Sequence, residues 1–451
     1  SDQLGGADVE WAVPDQNIAL VKPESANIPN GDVLDRLRQR KDVESVQPNF
    51  RYRAELYLDK ELAVRDAALE SLVLLPTPNP KPATIPEKSP VKADDPSPPA
   101  KPELKTPADV IRGPDPLQAQ DADLDLANVK AAWDIETGSR DTVVAVIDTG
   151  VDYNHEDLAP NMWHDPANIK NIGWDFVDND AFPYDVTSPI NAFTGAGNPG
   201  HGTHCAGNVG AAGDNSLGTS GVAKKVSIMA LRMLNQDGSG ETAAGIKAID
   251  YATQHGARVI SASWGSDGAS DDDQLLKESI QRAEAKGVLF IAAAGNVSPS
   301  DQKNADNDTN AAQRTYPASF DVANIISVAA SDQKGRMANF THFGAKSVHL
   351  AAPGEKSFST VPEVRDPKGY PSGGKYEDSM EIPGLGKAPW DGTSMATPQV
   401  AGAAALLISH HPTWTYAQVK NRILQTVRVE PTLTGKVASN GVLDAGAALK
   451  D

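Results

Sequence analysis

The sequence is poor in cysteine, in basic charge and in long apolar runs. Cys205 is the single cysteine in 451 residues, which excludes an intramolecular disulfide framework and any zinc site of the CxxC kind. It leaves the compartment open. No apolar run approaches the roughly 20 residues that a membrane-spanning helix needs, so no membrane partner is expected. Lys and Arg number 41 against 60 Asp and Glu, a formal net charge of −19. Such a field repels phosphate backbones and argues against a nucleic-acid partner. The first residues, SDQLGGADVE, combine neither a basic start nor an apolar stretch. No signal peptide is expected within this numbering, and an exported protein would have its targeting segment outside it.

What is present suffices for a core: 39% of residues are hydrophobic and 22% charged. The length suggests more than one domain. Residues 76–116 are dense in proline interleaved with Lys, Glu and Asp, which predicts an extended linker with little to bury. Before it, residues 18–21 read as a strand, 31–41 as an amphipathic helix and 43–50 as a second strand. Such a short segment, taken as residues 1–58, makes a meagre core and needs a larger surface to lean on. Residues 59–75 look like a helical connector. From residue 117 to 451, short apolar strands (142–147, 226–231, 259–263, 288–293 and 325–329) alternate with helical patterns (240–255, 274–286 and 396–409). This predicts one α/β domain, a buried parallel sheet with helices on both faces.

Three constellations in that domain carry chemistry. In AVIDTGVD, Asp148 stands at the carboxyl end of a buried strand, the sheet edge where sites assemble. Aspartic proteases also use DTG, but they need two facing aspartates, and this chain has no second DTG or DSG. In GHGTHCAGNVGA, His201 opens a helix of small residues that can approach the sheet closely. His204 follows three positions on, yet the glutamate of a zinc HExxH motif is missing. Cys205, followed by Ala206 and Gly207, reads as a packed thiol. In GTSMATPQVAGAAALL, Ser394 stands at a helix N-terminus, where free N–H groups favour developing negative charge. A plain serine cap explains that position nearly as well.

Taken together and in this order, the three resemble the subtilisin-like serine proteases. VIDTGVDYNHEDL, GHGTHCAGNV, LNQDGSG, AAAGN and DGTSMATPQVAG all fit the family's segments, and WDFVDND at residues 174–180 is similar to its thermitase-like branch. The resemblance implies a subtilisin-like three-layer α/β domain and an Asp148–His201–Ser394 triad, with Asn296 as second oxyanion donor. It implies that Ser239 and Gly240 on one side, and Ser263, Trp264 and Gly265 on the other, pair with the substrate backbone. Thr242 and Gly245 would wall a roomy pocket for the fourth residue before the cut, and the pocket directly before the cut looks open and uncharged. Gln399 departs from the family's usual histidine, on a helix away from the chemistry. VESVQPNF resembles the end of an inhibitory propeptide, so residues 1–58 would be a partial, small α+β propeptide domain that inhibits its own enzyme.

The resemblance also implies calcium. Asp115, Asp157 and the loop from Gly213 would form one cage, with the Asn215 amide and the Leu217 and Thr219 carbonyls. Asp175, Asp178 and Asp180 would form a second, because nearby lysines are too sparse to neutralise them. Residues 362–389 form an insertion expected to flank the leaving-group side. The expectation is thus a secreted, monomeric, calcium-supported serine endopeptidase of broad, apolar-preferring specificity, acting on proteins or peptides. A catalytically silent binding protein on the same fold is the alternative, and the filled catalytic positions argue against it.

Overall fold

The computed structural model describes residues 7–13, 18–23, 37–40, 43, 46–58, 113–192, 194–267, 273–363 and 375–450. Near the start, β1 (Ala7–Val13) and β2 (Ile18–Pro23) pair antiparallel; the strand at Ala7 was not anticipated from sequence. Of the helix expected over residues 31–41, only residues 37–40 are described; residues 37 and 38 are helical and Leu37 is buried. The strand expected at 43–50 is displaced. Residues 46–50 have no regular structure, and β3 forms at Arg51–Ala54 instead. The cause is tertiary: Gln47 and Asn49 spend their amides on helix N-termini elsewhere in the chain, whereas Arg51–Ala54 find a partner strand on each side.

The expected connector and residues 76–112 lie outside the described residues. Residues 113–116 do not behave as a linker, for Gly113 bridges to Asn215 and Asp115 is buried. From here the chain runs through α1 (Ala122–Leu126), α2 (Val129–Trp133), β4 (Gly138–Asp148), β5 (Gly173–Asp175), α3 (His201–Gly210), β6 (Lys225–Arg232), β7 (Ser239–Glu241), α4 (Thr242–Gln254), β8 (Val259–Ala262), β9 (Trp264–Asp267), α5 (Gln274–Ala285), β10 (Leu289–Ala293), β11 (Thr315–Tyr316), β12 (Ile325–Ser331) and β13 (Leu350–Pro353). It continues through β14 (Ser359–Thr360), β15 (Tyr376–Glu377), β16 (Ser379–Ile382), β17 (Gly386–Pro389), α6 (Thr393–His410), α7 (Tyr416–Gln425), β18 (Arg428–Val429), β19 (Gly441–Val442) and α8 (Ala445–Leu449). Among the described residues no helix is long and apolar enough to cross a membrane.

Among the described residues the main sheet has the order β18-β19-β13-β12-β10-β8-β4-β6-β5. Its pairs are parallel except at the edge, where β18 runs antiparallel to β19. Both faces are covered, as the apolar runs require. In β4, Val144 and Val146 enter one core while Ala145 and Ile147 enter the other; β10 divides likewise, with Leu289 and Ile291 against Phe290 and Ala292. The period of two in a continuous apolar run is what a strand buried on both faces demands. The first core is filled by α3 and α6, the second by α4 and α5. Ile18, Phe50 and the fully buried Tyr52 pack on the second core, so the N-terminal segment does lean on the large domain. Ile291 is fully buried at the sheet centre. Ile291→Ala should cost about 2–5 kcal/mol, read as a lowered urea midpoint with an unchanged slope.

Candidate active site

The carboxyl edge of the parallel sheet gathers the three chemical segments. Asp148 ends β4, His201 opens α3 and Ser394 lies in the first turn of α6. All three are buried. His201 Nδ1 stands 2.7 Å from Asp148 Oδ1, which also accepts the Thr149 N–H at 2.7 Å. The other ring nitrogen, Nε2, is buried and has no hydrogen-bond partner among the described residues. Ser394 Oγ donates to the Ser263 carbonyl at 2.8 Å. Burial opposes the imidazolium, but the Asp148 carboxylate outweighs it and holds the His201 pKa well above the usual 6.5.

The local structure of α6 has a physical origin. Pro398 lacks the N–H that would bond the Ser394 carbonyl one turn back. That carbonyl is satisfied instead by the Ser263 hydroxyl at 2.9 Å and faces Cys205 Sγ at 3.5 Å. The missing helical bond thereby ties α6 to the strand beside it. Cys205 is buried 3.9 Å from His201 Nδ1, and burial pushes its thiol pKa up, as a packed thiol requires. His204 stacks on Trp390 at 4.2 Å, and burial lowers its pKa to about 3, so it stays neutral and structural. Gln399 is buried with its amide toward Asp123, away from the triad segments. Gly202 must be glycine for close approach, because a Cβ would strike the Gly150 carbonyl.

Sequence reasoning missed the brace behind His201. The Asn198 side-chain oxygen accepts the Gly200 and His201 N–H groups at 3.0 and 2.9 Å, capping α3 from outside. Asn198 in turn donates to buried Asp185 at 2.7 Å, which also receives the Thr149 hydroxyl and both the N–H and hydroxyl of Thr203. An asparagine three residues before a helical histidine is a readable cap signal; Asp185, far away in sequence, carries none.

The cleft itself is filled by the chain's own β3. It runs antiparallel between β7, where Tyr52 and Arg53 face Gly240 and Ser239, and β9, where Arg53 and Ala54 face Gly265 and Trp264. The Glu55 N–H donates to the Ser263 carbonyl at 3.0 Å. The Glu55 carbonyl then receives the Ser394 N–H at 3.2 Å and the Asn296 side-chain amide at 2.6 Å. The Thr393 N–H donates to Asn296 Oδ1 at 2.9 Å, which turns the amide nitrogen toward Glu55. Beyond this point Tyr57 N–H bonds the Asp391 carbonyl, and Tyr57 stacks on Phe340 at 4.6 Å. Gly392, at φ 155°, leaves room for this passage, since a Cβ would sit 2.5 Å from the Glu55 carbonyl. Thr242 and Gly245 lie at the pocket that takes Tyr52, with Gly245 facing Met233, Leu276 and Trp264. Glu55 reaches past Gly265 toward Asn296, so a glutamate occupies the cleft read as uncharged.

The two expected calcium cages fare differently. The first set converges. Asp157 accepts the Asn215 amide at 2.7 Å and the Thr219 N–H at 3.0 Å, and Asp115 accepts the N–H groups of Asp214 and Asn215. The Asn215 amide oxygen, however, accepts the Leu217 N–H, so the amide presents its nitrogen to Asp157. The Gly213 N–H is used by Lys224. Burial raises the Asp157 pKa to about 6, and among the described residues no ion pair reaches Asp157 or Asp115. Two buried carboxylates beside loop carbonyls are a donor set fit for a hard cation. The second cage is a correction: buried Arg232 places Nη1 2.8 Å from both Asp175 and Asp178. The cation judged absent from sequence is this arginine, brought in from β6; Asp180 joins Asp175 through backbone bonds. The described part of the 362–389 insertion packs over the first loop, with Tyr376 donating to Glu156 and Lys375 pairing with it.

By magnetic resonance titration His201 should lose its proton above pH 6.5. Asp148→Asn should drop that value below 6.5, because the burial remains when the compensating charge is gone. An unshifted titration would dissolve the coupling.

Comparison with known proteins agrees with this architecture. The sequence profile described as the subtilase family matches residues 139–445. The chain is 38% identical to thermitase of Thermoactinomyces vulgaris over 278 residues, 62% of this chain and 78% of that protein. It is 36% identical to subtilisin DY of Bacillus licheniformis over 284 residues, 63% of this chain and 82% of that one. Among solved structures, a protease of Pseudoalteromonas arctica superposes with a TM-score of 0.59 at 26% identity, covering 75% of this chain and 99% of that one. With the family profile spanning most of the chain and the fold that of a protease, this protein belongs to the subtilase family and is a serine endopeptidase.

Proposed function

We propose that the chain is the precursor of an exported, monomeric endopeptidase, held inactive by its own residues 51–58 and cut between Glu55 and Leu56. The observation that carries this reading is the Glu55 carbonyl, bonded by the Ser394 N–H at 3.2 Å and the Asn296 amide at 2.6 Å. Two donors converging on one carbonyl beside a serine hydroxyl are what a tetrahedral oxyanion needs. In the reaction the Ser394 hydroxyl leaves the Ser263 carbonyl and turns to His201 Nε2. Its oxygen attacks the Glu55 carbonyl carbon while His201 takes the proton. His201 then gives that proton to the Leu56 nitrogen as the peptide bond breaks. Asp148 keeps the ring oriented and stabilises the imidazolium. Water enters in place of the amine and releases the Glu55 carboxylate by the same steps.

Inhibition follows from the same contacts. Residues 47–54 bond to both flanking strands and to the α4 and α5 termini, so the segment competes with any substrate at high effective concentration. On this reading residues 1–55 act as the inhibitory domain and 56–112 as a linker left on the enzyme. The glutamate before the bond widens the expected apolar preference to a tolerant, broad one. A protonated His201 cannot accept the Ser394 proton, so cleavage should fall as pH drops through a limb lying above 6.5.

Ser394→Ala should leave the chain uncut, whereas the unaltered chain should yield a fragment beginning at Leu56 by N-terminal sequencing. Asn296→Ala should lower kcat by about 10²–10³, the usual size of one oxyanion donor. Cleavage persisting in Ser394→Ala, or a different new terminus, would overturn the assignment.

For calcium, Asp115, Asp157, Asn215 and the Leu217 and Thr219 carbonyls would hold the ion, with the Asn215 amide turned over. The ion would supply charge neutralisation and loop stiffness, and no part of the bond cleavage. Because it binds the folded loops and not the unfolded chain, it stabilises by mass action. A chelator should lower Tm and calcium restore it, with affinity weakening below about pH 6 as Asp157 protonates. An unchanged melting curve in chelator would remove the ion from this account.

A further inference from the structure

The pocket that receives Tyr52 ends on a carboxylate from the acidic run Asp271–Asp273, which from sequence reads as a solvated loop. Asp273, the N-cap of α5, is fully buried. Its Oδ1 accepts the Leu276 N–H of its own helix at 3.1 Å and the Gln47 amide at 2.7 Å. Its Oδ2 accepts the Thr242 hydroxyl at 2.6 Å and the Tyr52 phenol at 2.7 Å. The Tyr52 ring is 1% exposed and packs edge-on against Trp264, centroids 5.3 Å apart.

We propose that Asp273 makes this peptidase selective for tyrosine, over phenylalanine and over acidic side chains, at the fourth residue before the cut. The inference rests on the proposed reading, in which Glu55 precedes the cut and Tyr52 is therefore the fourth residue back. Phenylalanine fills the same volume against Trp264 but leaves Oδ2 with the Thr242 hydroxyl alone, in a place closed to water. A site built to bond a hydroxyl discriminates strongly against the analogue that lacks it, because a buried acceptor is stranded. An acidic side chain would bring a second carboxylate toward the first and is refused by charge. Thr242, read from sequence as a mere wall, instead orients the acceptor and receives the Phe50 N–H at 3.1 Å.

The test uses the full chain after it has processed itself, with internally quenched peptides spelling RYRAELYL, the chain's own residues 51–58. The tyrosine at the second position is kept, or replaced by phenylalanine or O-methyltyrosine. The tyrosine peptide should exceed the phenylalanine peptide in kcat/KM by about tenfold or more, and O-methyltyrosine should fall to or below phenylalanine. Asp273→Ser keeps a helix-capping hydroxyl but cannot reach the phenol, and should bring the tyrosine-to-phenylalanine ratio near one. Equal rates on the unaltered chain, or an unchanged ratio in Asp273→Ser, would overturn the inference. A readout free of catalysis separates it from the serine chemistry. In the Ser394→Ala chain, the Tm losses from Tyr52→Phe and Asp273→Ser should be strongly non-additive, and additive losses would also overturn it. A chain that cuts no peptide yet keeps the non-additivity would sink the proposed cleavage while leaving the Asp273 contact standing.

Discussion

The 2.7 Å bond between His201 Nδ1 and Asp148 Oδ1 forms where both side chains are closed off from water, and most of the surrounding architecture is required to keep it. A buried carboxylate is costly unless it is bonded or paired. Asp148 meets that requirement with the Thr149 N–H and the imidazole. The imidazole can occupy its place only because α3 enters at one angle, fixed by the Asn198 cap and by the Asp185 brace behind it. Glycine at 202 lets that helix come close enough to the strand that carries Asp148. The His201–Asp148 contact is thus a consequence of packing at a distance from the ring itself.

A second dependence runs through the edges of β7 and β9. Two strand edges facing each other across a gap carry unpaired N–H and C=O groups, which attract any extended chain. In this protein β3 supplies that chain, and the result is a four-stranded sheet ordered β11-β9-β3-β7. The same backbone recognition that would take a substrate holds β3, so side chains must provide whatever selectivity there is. Tyr52 in its pocket and Asn49 and Gln47 at the helix termini bring a second layer of contacts that a short peptide would make only in part.

The motifs of the α/β domain were legible because each needs only local chemistry. A buried strand ending in Asp148, a helix opening at His201 among small residues, and a serine at a helix start all leave a trace in neighbouring letters. Asn296 came through resemblance, and the geometry adds the reason its amide faces the cleft, the Thr393 N–H at its oxygen. Asp185 and Arg232 left no trace, and Asp273 stands in an acidic run that reads as solvated. Each acts on residues dozens to hundreds of positions away, and each stands in a stretch whose local pattern is ordinary. The displaced strand belongs with them: residues 43–50 carry Val43, Val46 and Phe50, but the partner edges lie opposite residues 51–54.

By itself the sequence determined the fold class and the main strands and helices of the α/β domain, because apolar period is a local property, whereas the aspartate, histidine and serine were read as a set through their resemblance to the subtilisin-like proteases. Only the tertiary structure decided which of the chain's own carbonyls lies beside the Ser394 N–H, which acidic group serves Tyr52, and that Arg232 pairs with Asp175 and Asp178. Those outcomes depend on which surfaces meet when distant segments pack. Backbone edges, buried carboxylates and a guanidinium find their partners by position in space, and that position is set by the whole sheet, not by any run of neighbouring residues.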